Sequence, residues 1–344
     1  MKALLVTPDH RLTISDVAKP DCGPCEALVR IKACGICSTT DTNIVRGQMP
    51  FVKEYPCILG HEAIGEVIEV GAHVRKFKTG DFVTRPMALG LDEVRDGVAS
   101  GWGGFAEYGL VKDREALLAS GKGISPGEDH VSLRQNVVPK ETSLAEAVLG
   151  ISLAETSSWF SHLPNIWGKT ICVAGTGVAG LSLALWGKLA GAKKVIVLGR
   201  RKERLDLAIN LAADTGINIK DGFVEEKIRD LTEGTGVDFF LEASGSREQL
   251  LTGMSVLAPG GTMAVYGSAP DDAYDFDWSR MPGFSQVAKF PAEEHKTYSW
   301  VIDLMKRRVI PAEKMMTHRF SLEDYQQAFD AIWAGTVVKA YLEW

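Results

Sequence analysis

The sequence lacks the features that mark several classes of protein. It has no excess of basic residues, since 38 Lys and Arg stand against 44 Asp and Glu and the formal net charge is −6. That balance disfavours a nucleic-acid-binding protein, which is expected to carry a strongly basic face. Charged residues make up 24% and hydrophobic residues 45% of the 344 residues. These shares are those of a globular protein, and they exclude a disordered chain, a collagen and a coiled coil.

A secretory signal and a clear membrane span are also missing. The opening, MKALLVTPDH, turns polar after six residues, which is too short an apolar stretch for a signal peptide. The uncharged run 170–187 approaches membrane-spanning length, but its four glycines predict a buried strand, a turn and the start of a helix. We therefore expect a cytoplasmic protein without a membrane partner.

Cysteine is scarce, and its pattern does not suggest a disulfide framework in a chain without a secretory signal. The six cysteines are Cys22, Cys25, Cys34, Cys37, Cys57 and Cys172. The first two form a C-x-x-C, but this motif precedes a predicted strand and lies in a turn, which disfavours a redox role. A zinc knot of the first four is disfavoured because the gap in the middle is too short. The last two lie in apolar strands and are expected in the core.

The pattern of the chain changes near Lys169, which predicts two domains. Before this point, short apolar segments separated by glycines predict a compact, strand-rich domain, and the polar residues 112–138 predict a loop or an insertion. After it, strand-like and helix-like runs alternate, which predicts βαβ units around a parallel sheet. The predicted strands are 170–174, 195–198, 237–241 and 262–266, and the predicted helices are 178–190, 202–212, 223–232 and 246–257.

Three further helices and a last strand are predicted outside this alternation. Ser143 followed by Glu146 fits a capping box and predicts a helix that runs toward Phe160. Near the end of the chain we expect a helix around 297–307, another that starts at Ser321, and a strand over 337–342.

A glycine-rich motif predicts dinucleotide binding in the second domain. Gly175-Thr176-Gly177-Val178-Ala179-Gly180 fits G-x-G-x-x-G, with a predicted strand before it and a predicted helix after it. The first glycine allows a tight turn, the second lets the backbone approach a pyrophosphate, and the third lets helix and strand pack closely. The N-terminus of the helix offers free N–H groups to the anion. A glycine-rich turn without a ligand is the alternative.

The end of the second strand of this domain favours NADP over NAD. An acidic residue would bind the ribose 2′-OH of NAD, but the sequence has Leu198-Gly199-Arg200-Arg201 at this point. Two guanidinium groups can pair with a 2′-phosphate, although they could also be solvated charges at the start of a helix. Ser244, in Glu242-Ala243-Ser244-Gly245, is expected at the carboxyl edge of the sheet, where the nicotinamide half should bind.

A thiol, an imidazole and a carboxylate in the first domain could form a metal site. Cys37 ends the segment Cys34-Gly35-Ile36-Cys37, and His61 and Glu62 follow Gly60. These side chains can bind zinc as a catalytic site with an open position. Zinc in such a site would act as a Lewis acid on an alkoxide or a carbonyl.

The spacing around the His-Glu pair closely resembles the signature of zinc-containing medium-chain dehydrogenases/reductases. The pattern is Gly60-His61-Glu62-x-x-Gly65, then Gly71 and Val74. The resemblance continues, in the order of that family, through Gly80-Asp81, residues 103–108, the glycine-rich motif and His318-Arg319-Phe320. It implies a GroES-like catalytic domain of residues 1–142 and 291–344, with a Rossmann dinucleotide-binding domain inserted at 143–290. It also implies a homo-dimer or a homo-tetramer.

The resemblance assigns roles to particular residues. Cys37 and His61 match the metal ligands, and Glu62 matches a carboxylate that binds zinc directly or through water. The hydroxyls of Ser38, Thr39 and Thr40 match the place of a proton-relay residue, and Thr40 with Asp41 fits the Thr-Asp pair of the family best.

The sequence departs from the family at two places that concern metal. The four closely spaced cysteines of the structural zinc lobe are absent between about 85 and 115, so we expect one catalytic zinc and no structural zinc. The fourth ligand of the catalytic site falls on Ile151, which cannot bind metal. Glu155, one turn further on the same helical face, is the expected substitute, and Glu146 is a weaker candidate.

The sequence therefore predicts a zinc-dependent oxidoreductase that transfers a hydride between NADP(H) and an alcohol, a polyol or a sugar. Ile151 keeps open a zinc-free NADPH reductase of the same fold, resembling quinone or enoyl reductases. A nucleotide-binding protein without turnover is the alternative from another class.

Overall fold

The computed structural model describes residues 1–52, 54–91, 93–121, 123–267 and 276–344. The chain divides into two compact units. The first unit comprises Met1–Ser152 and His295–Trp344, and the second comprises Leu153–Glu294. The domain boundaries that the sequence suggests, 142/143 and 290/291, stay a prediction.

The N-terminal part of the first unit is rich in strands, as its sequence predicts. The strands are β1 (Lys2–Val6), β2 (Leu12–Asp16), β3 (Glu26–Ile36), β4 (Cys57–Ile58), β5 (Glu62–Val70), β6 (Phe82–Thr84), β7 (Val94–Arg95), β8 (Val98–Ser100) and β9 (Tyr108–Lys112). The helices are α1 (Thr40–Val45), α2 (Arg114–Ala119), α3 (Pro126–Arg134) and α4 (Leu144–Phe160), the last of which continues into the second unit. One sheet has the order β2-β1-β4-β8-β7.

The second unit is built from strands that alternate with helices. In chain order they are β10 (Thr170–Ala174), α5 (Val178–Leu189), β11 (Lys194–Gly199), α6 (Lys202–Leu211), β12 (Thr215–Asn218), α7 (Val224–Leu231), β13 (Val237–Glu242), α8 (Arg247–Val256), β14 (Leu257–Val265) and β15 (Gln286–Ala288). The sheet order is β12-β11-β10-β13-β14-β15, and every adjacent pair is parallel. The predicted βαβ alternation is confirmed.

The uncharged run 170–187 falls on β10 and α5, so a strand and a helix divide it as predicted. The central strands are apolar on both faces because helices cover a parallel sheet on both sides. Within the described ranges, no helix combines the length and the apolar character that crossing a membrane requires.

The C-terminal part of the chain returns to the first unit. It contains α9 (Tyr298–Lys306), α10 (Ala312–Met315), β16 (His318–Ser321), α11 (Tyr325–Ala334) and β17 (Ala340–Glu343). Strand β17 pairs antiparallel with β3, which completes a sheet of order β16-β17-β3-β5-β6, and β9 also pairs with β3.

The register of this sheet places four residues with ionisable side chains at the same end of it. Gly35 lies opposite Glu62, and Ala340 lies opposite Ile36. The residue after β3 is Cys37, the residue before β5 is His61, and the residue before β17 is Lys339. Three strands from distant parts of the sequence therefore bring a thiol, an imidazole, a carboxylate and an ammonium group together.

Helix α4 begins as the sequence predicts. The Glu146 carboxylate accepts a hydrogen bond from the Ser143 N–H at 3.0 Å, and the Ser143 hydroxyl accepts one from the Glu146 N–H at 3.3 Å, so the capping box is confirmed. Gly150 lets α9 approach closely, because a Cβ at this position would lie 2.7 Å from Ile302. Tyr298 on α9 also donates a hydrogen bond to the Ala147 carbonyl at 3.0 Å.

The expectation of a loop over 112–138 is wrong for two segments, which form α2 and α3; Lys122 lies outside the described residues. Helix α3 is polar and shows no apolar periodicity, and α2 has only six residues, too few for a helical period to be read from the sequence. Ion pairs hold them instead, between Lys112 and Glu128 and between Arg114 and Asp129, each at 2.7 Å. Ser125 caps α3 in a capping box, a signal that the composition of the segment obscured.

Backbone hydrogen bonds from residues 101–105 fix the residues just before His61. The Gly101 N–H donates to the Ile58 carbonyl at 2.7 Å, and the Phe105 N–H donates to the Leu59 carbonyl at 2.9 Å. Gly60 has a φ of +95°, and a Cβ there would lie 2.8 Å from the Phe105 nitrogen. Gly60 is therefore needed both for its conformation and for the close approach of the two segments.

We expect Gly60→Ala to destabilise the protein by about 2 kcal/mol more than Gly80→Ala. Gly80 is a matched control, because it has a φ of +88° but a Cβ there would meet nothing within 4 Å. Urea unfolding followed by circular dichroism measures both changes. Equal losses in the two variants would show that the packing against Phe105 does not matter.

Candidate metal and cofactor sites

Three ligating side chains meet at the end of β3 and β5. The ligand atoms of Cys37, His61 and Glu62 all lie within 4.8 Å of one another, and this is the one such metal-ligating group among the described residues. His61 and Glu62 are buried, and Cys37 is partly exposed. Sulfur, nitrogen and oxygen donors together form a set that zinc accepts. Ligands of a tetrahedral zinc ion lie roughly 3.5 Å apart, so the side chains would close somewhat on the ion.

The Asp41 carboxylate lies close to the imidazole of His61. Its Oδ1 lies 3.8 Å from His61 Nδ1, while His61 Nε2 lies 3.9 Å from Glu62 Oε1. Asp41 Oδ1 and His61 Nδ1 are both buried, and neither has a hydrogen-bond partner in the part of the chain that the structure describes. Burial raises the pKa of Asp41 to about 7, against the opposing effect of His61. A metal-binding imidazole commonly has such a carboxylate behind it, so these residues fit a bound zinc ion.

A buried ion pair holds Glu62 as a carboxylate. Its Oε2 pairs with the Lys339 ammonium group, and its Oε1 accepts a hydrogen bond from Ser152 Oγ at 2.9 Å. Burial alone would raise the pKa of Glu62, but Lys339 and His61 outweigh it and lower the pKa. Burial would likewise lower the pKa of Lys339, but Glu62 outweighs it and raises the pKa. Both oxygens of Glu62 are therefore engaged, which suits a ligand that reaches a metal through water.

Ile151 occupies the place where the family resemblance implies a fourth ligand. It lies on α4 and is 1% exposed. An aliphatic side chain offers no atom that can bind a metal, and the neighbouring Ser152 donates a hydrogen bond to Glu62. Glu155, the expected substitute, lies in the second unit, where its carboxylate accepts a hydrogen bond from Tyr266 Oη at 2.8 Å. Its role as a ligand stays a prediction.

Thr40, the predicted proton-relay residue, is the first residue of α1. Its backbone N–H donates to Cys37 Sγ at 3.4 Å, which stabilises negative charge on the sulfur. Ser38 and Thr39, the other candidates, are exposed. All six cysteines are free thiols, and Cys37 alone among them belongs to the metal-ligating group.

The glycine-rich motif connects β10 to α5 in the second unit, and its glycines differ in their surroundings. Gly175 has a φ of +122°, which suits the tight turn. A Cβ at Gly180 would lie 2.1 Å from the Gly175 carbonyl oxygen, so the third glycine is needed for close packing. Gly177 caps α5, and a Cβ there would meet nothing within 4 Å. The turn thus leaves open space at the glycine that should face a pyrophosphate. Thr176 lies between these glycines, and Val178 and Ala179 begin α5.

The end of β11 carries a cluster of arginines. Gly199 packs against the glycine-rich turn, because a Cβ there would lie 2.6 Å from Thr176. Arg200 and Arg201 follow and are exposed, and Arg201 is the N-cap of α6. Arg204, which the sequence analysis did not select, is buried one turn later. Burial and the nearby Arg201 lower the pKa of Arg204 to about 10.

Ser244 lies just after β13, beside the glycine-rich turn. Its nitrogen is 3.3 Å from the position of a Cβ on Gly175. Its backbone N–H and its hydroxyl both donate to Glu242 Oε1, at 2.8 and 2.5 Å. Burial raises the pKa of Glu242, while the Ser244 hydroxyl opposes the shift. The serine therefore stands at the carboxyl edge of the sheet, in the position where the sequence leads us to expect it.

Lys339 belongs to the site of Cys37, His61 and Glu62, but it was not predicted from the sequence. A signal existed, because a lysine interrupts the otherwise apolar stretch Val337–Leu342. A charge in such a strand is normally paired. Arg85 was also missed; it is buried and donates to the His61 carbonyl at 2.6 Å.

Comparisons with known proteins cover both units of the chain. Residues 23–120 match the family model described as "Alcohol dehydrogenase GroES-like domain", and residues 177–307 match "Zinc-binding dehydrogenase". The predicted fold class is confirmed, a GroES-like β-rich domain with an inserted, doubly wound Rossmann sheet.

Relatives match at moderate identity. The chain is 33% identical over 264 residues to the NADP-dependent isopropanol dehydrogenase of Thermoanaerobacter brockii, covering 72% of this chain and 70% of that protein. It is 27% identical over 353 residues to the L-threonine 3-dehydrogenase of Chelativorans sp. (strain BNC1), covering 100% and 99%. The structure of an alcohol dehydrogenase zinc-binding domain protein from Burkholderia ambifaria matches with a TM-score of 0.84 and 23% identity, covering 99% and 98% of the two chains.

We expect Lys339→Met to destabilise the protein by about 3–5 kcal/mol, because it leaves the Glu62 carboxylate buried without its counter-charge. The loss should shrink at acid pH, where Glu62 takes up a proton, and the double variant with Glu62→Gln should recover part of it. Lys32→Met is the control, since its 3.8 Å pair with Glu66 is partly exposed and is worth less than about 1 kcal/mol. Unfolding by urea at two pH values gives these quantities. Similar losses for Lys339→Met and Lys32→Met would contradict the assignment.

Proposed function

Because this chain belongs to the zinc-containing medium-chain dehydrogenases/reductases, and is thus an NAD(P)-dependent dehydrogenase of CH–OH groups, we propose that it is a zinc-dependent, NADP(H)-linked oxidoreductase of an alcohol, a polyol or a sugar. The observation that carries the proposal is the convergence of Cys37, His61 and Glu62 within 4.8 Å. A thiol, an imidazole and a carboxylate at such short distances form a set of donor atoms that zinc accepts.

Cys37 and His61 would hold the zinc ion, and Glu62 would complete the site directly or through water. Bound there, zinc supplies Lewis-acid chemistry toward the substrate oxygen. With zinc bound, Asp41 would orient His61 from behind the ring, and Lys339 keeps Glu62 ionised. Arg85, through the His61 carbonyl, holds the backbone of the same ligand.

Oxidation removes a proton and a hydride from the CH–OH group. The Thr40 hydroxyl, on the residue whose N–H contacts Cys37, would take the proton of the substrate hydroxyl and pass it to water. A bound nicotinamide cofactor would supply the hydride acceptor for oxidation and the hydride donor for reduction. Partial exposure of Thr40 supports a route for the proton to solvent.

The arginines after β11 support NADP rather than NAD. Burial is the main cause of the lowered pKa of Arg204, and repulsion from the like charge of Arg201 adds to it. A 2′-phosphate would relieve this repulsion and accept hydrogen bonds from guanidinium groups. The name of the Thermoanaerobacter brockii relative, an NADP-dependent enzyme, agrees with this choice. The glycines at 175, 177 and 180 would bind the pyrophosphate.

Ile151 favours a second candidate, a zinc-free NADPH reductase of the same fold. A site with an aliphatic side chain in place of the fourth ligand could have lost its metal. The intact Cys37, His61 and Glu62, with Asp41 behind the histidine, favour the zinc enzyme.

We expect the purified protein to contain about one zinc ion per chain and to lose activity when a chelator removes it. Ile151→Asp should strengthen zinc binding by about tenfold or more, because it adds an oxygen ligand, while the control Ile151→Leu should leave the affinity unchanged. Metal analysis and competition with a chromogenic chelator measure both. Full activity in metal-free protein would support the zinc-free reductase instead.

We expect Arg200→Ala and Arg201→Ala to raise the KM for NADP by about tenfold or more and to leave the KM for NAD nearly unchanged. Lys202→Ala is a suitable control, since this exposed lysine pairs with Asp206 on the same helix. Steady-state kinetics with both coenzymes provide the comparison. An unaltered coenzyme preference in both arginine variants would remove the basis for choosing NADP.

A further inference from the structure

The indole ring of Trp102 is held beside His61 by the backbone on both sides of it. The N–H groups of Gly101 and Gly103 both donate to the Ile58 carbonyl, at 2.7 and 3.0 Å. Trp102 itself has a φ of +87°, which is unfavourable for a bulky side chain. Such a conformation persists only where the surroundings impose it, and it is found most often at functional sites.

Phe51 extends the surface that Trp102 begins. The Trp102 ring lies 5.5 Å from the His61 ring, and the Phe51 ring meets Trp102 edge-on at 6.2 Å. Phe51 is 41% exposed, and Trp102 is partly exposed although its Nε1 is buried. We call Phe51 and Trp102 the aromatic wall. A ligand beside the metal cluster would therefore contact ring carbon atoms of this wall rather than a hydrogen-bonding group.

Arg85 and the inserted helix α3 support the aromatic wall. The Arg85 guanidinium lies 5.7 Å from the centre of the Trp102 ring and also donates to the His61 carbonyl. Arg85 is 3% exposed, so its charge is buried. The ring of His130, on α3, lies 6.1 Å from the Trp102 ring. The ring next to the metal cluster is therefore fixed by a cation and by neighbouring rings.

We infer that the aromatic wall binds the apolar substituent of the substrate, so that this enzyme prefers alcohols with an aryl or bulky alkyl group to polyols and aldoses. The inference rests on the proposed function and names its substrate class. Aromatic side chains bind flat apolar groups well. The hydroxyls of a polyol would lose water against ring carbon without gaining a partner, which is unfavourable.

The kinetic test compares 1-phenylethanol, 2-propanol and sorbitol with NADP. In the wild-type protein kcat/KM should be at least about tenfold higher for 1-phenylethanol than for 2-propanol, and lowest for sorbitol. Phe51→Ala and Trp102→Ala should each reduce the ratio of the first two values by about tenfold. Trp102→Phe, which keeps an aromatic ring, should retain most of it, and Trp167→Ala, an exposed tryptophan of the second unit, should not alter it.

A binding test separates this inference from the proposed function. Calorimetric titration of the NADP-loaded protein with acetophenone should show binding that Phe51→Ala weakens about tenfold without any turnover. Phe51 is exposed, so this variant is expected to fold. Absence of turnover with every alcohol would defeat the proposed function, while weakened acetophenone binding would still support the aromatic wall. An unchanged ratio and unchanged binding in Phe51→Ala, or a preference for sorbitol, would overturn the inference.

Discussion

The buried pair of Lys339 and Glu62 is the constraint on which the first site depends. Glu62 lies on β5, and Lys339 immediately precedes β17, so the pair joins the N-terminal and C-terminal parts of the first unit. A carboxylate in this place has little access to water and would be neutralised or expelled without its cation. The C-terminal segment therefore does more than complete a sheet, since it keeps a negative charge beside Cys37 and His61.

The charge of Glu62 matters because a metal site brings several acidic groups close together, and their mutual repulsion costs free energy. The acidic groups of Cys37 and Asp41 lie close to Glu62, whose charge Lys339 already balances. A divalent cation between Cys37 and His61 would complete the balance and close the ligands on themselves.

Much of the fold and part of the site could be predicted from the sequence. Strand β10 could be predicted at 170–174, because a parallel strand that is buried on both faces appears in the sequence as a short apolar run next to glycines. The spacing Gly60-His61-Glu62 identified the cluster, since the family resemblance relates it to Cys37. Residues 112–138 were misjudged because ion pairs, not apolar periodicity, hold α2 and α3 together. Lys339 and Trp102 could not be placed, because strand register and backbone hydrogen bonds between distant segments bring them to His61.

The central claim is that a zinc ion binds between Cys37 and His61. Diffraction from crystals of the purified protein, recorded on either side of the zinc absorption edge, tests it most directly. The account predicts one anomalous peak per chain, at bonding distance from Cys37 Sγ and His61 Nε2. A peak bound to other residues, or none in protein that retains full activity, would contradict it.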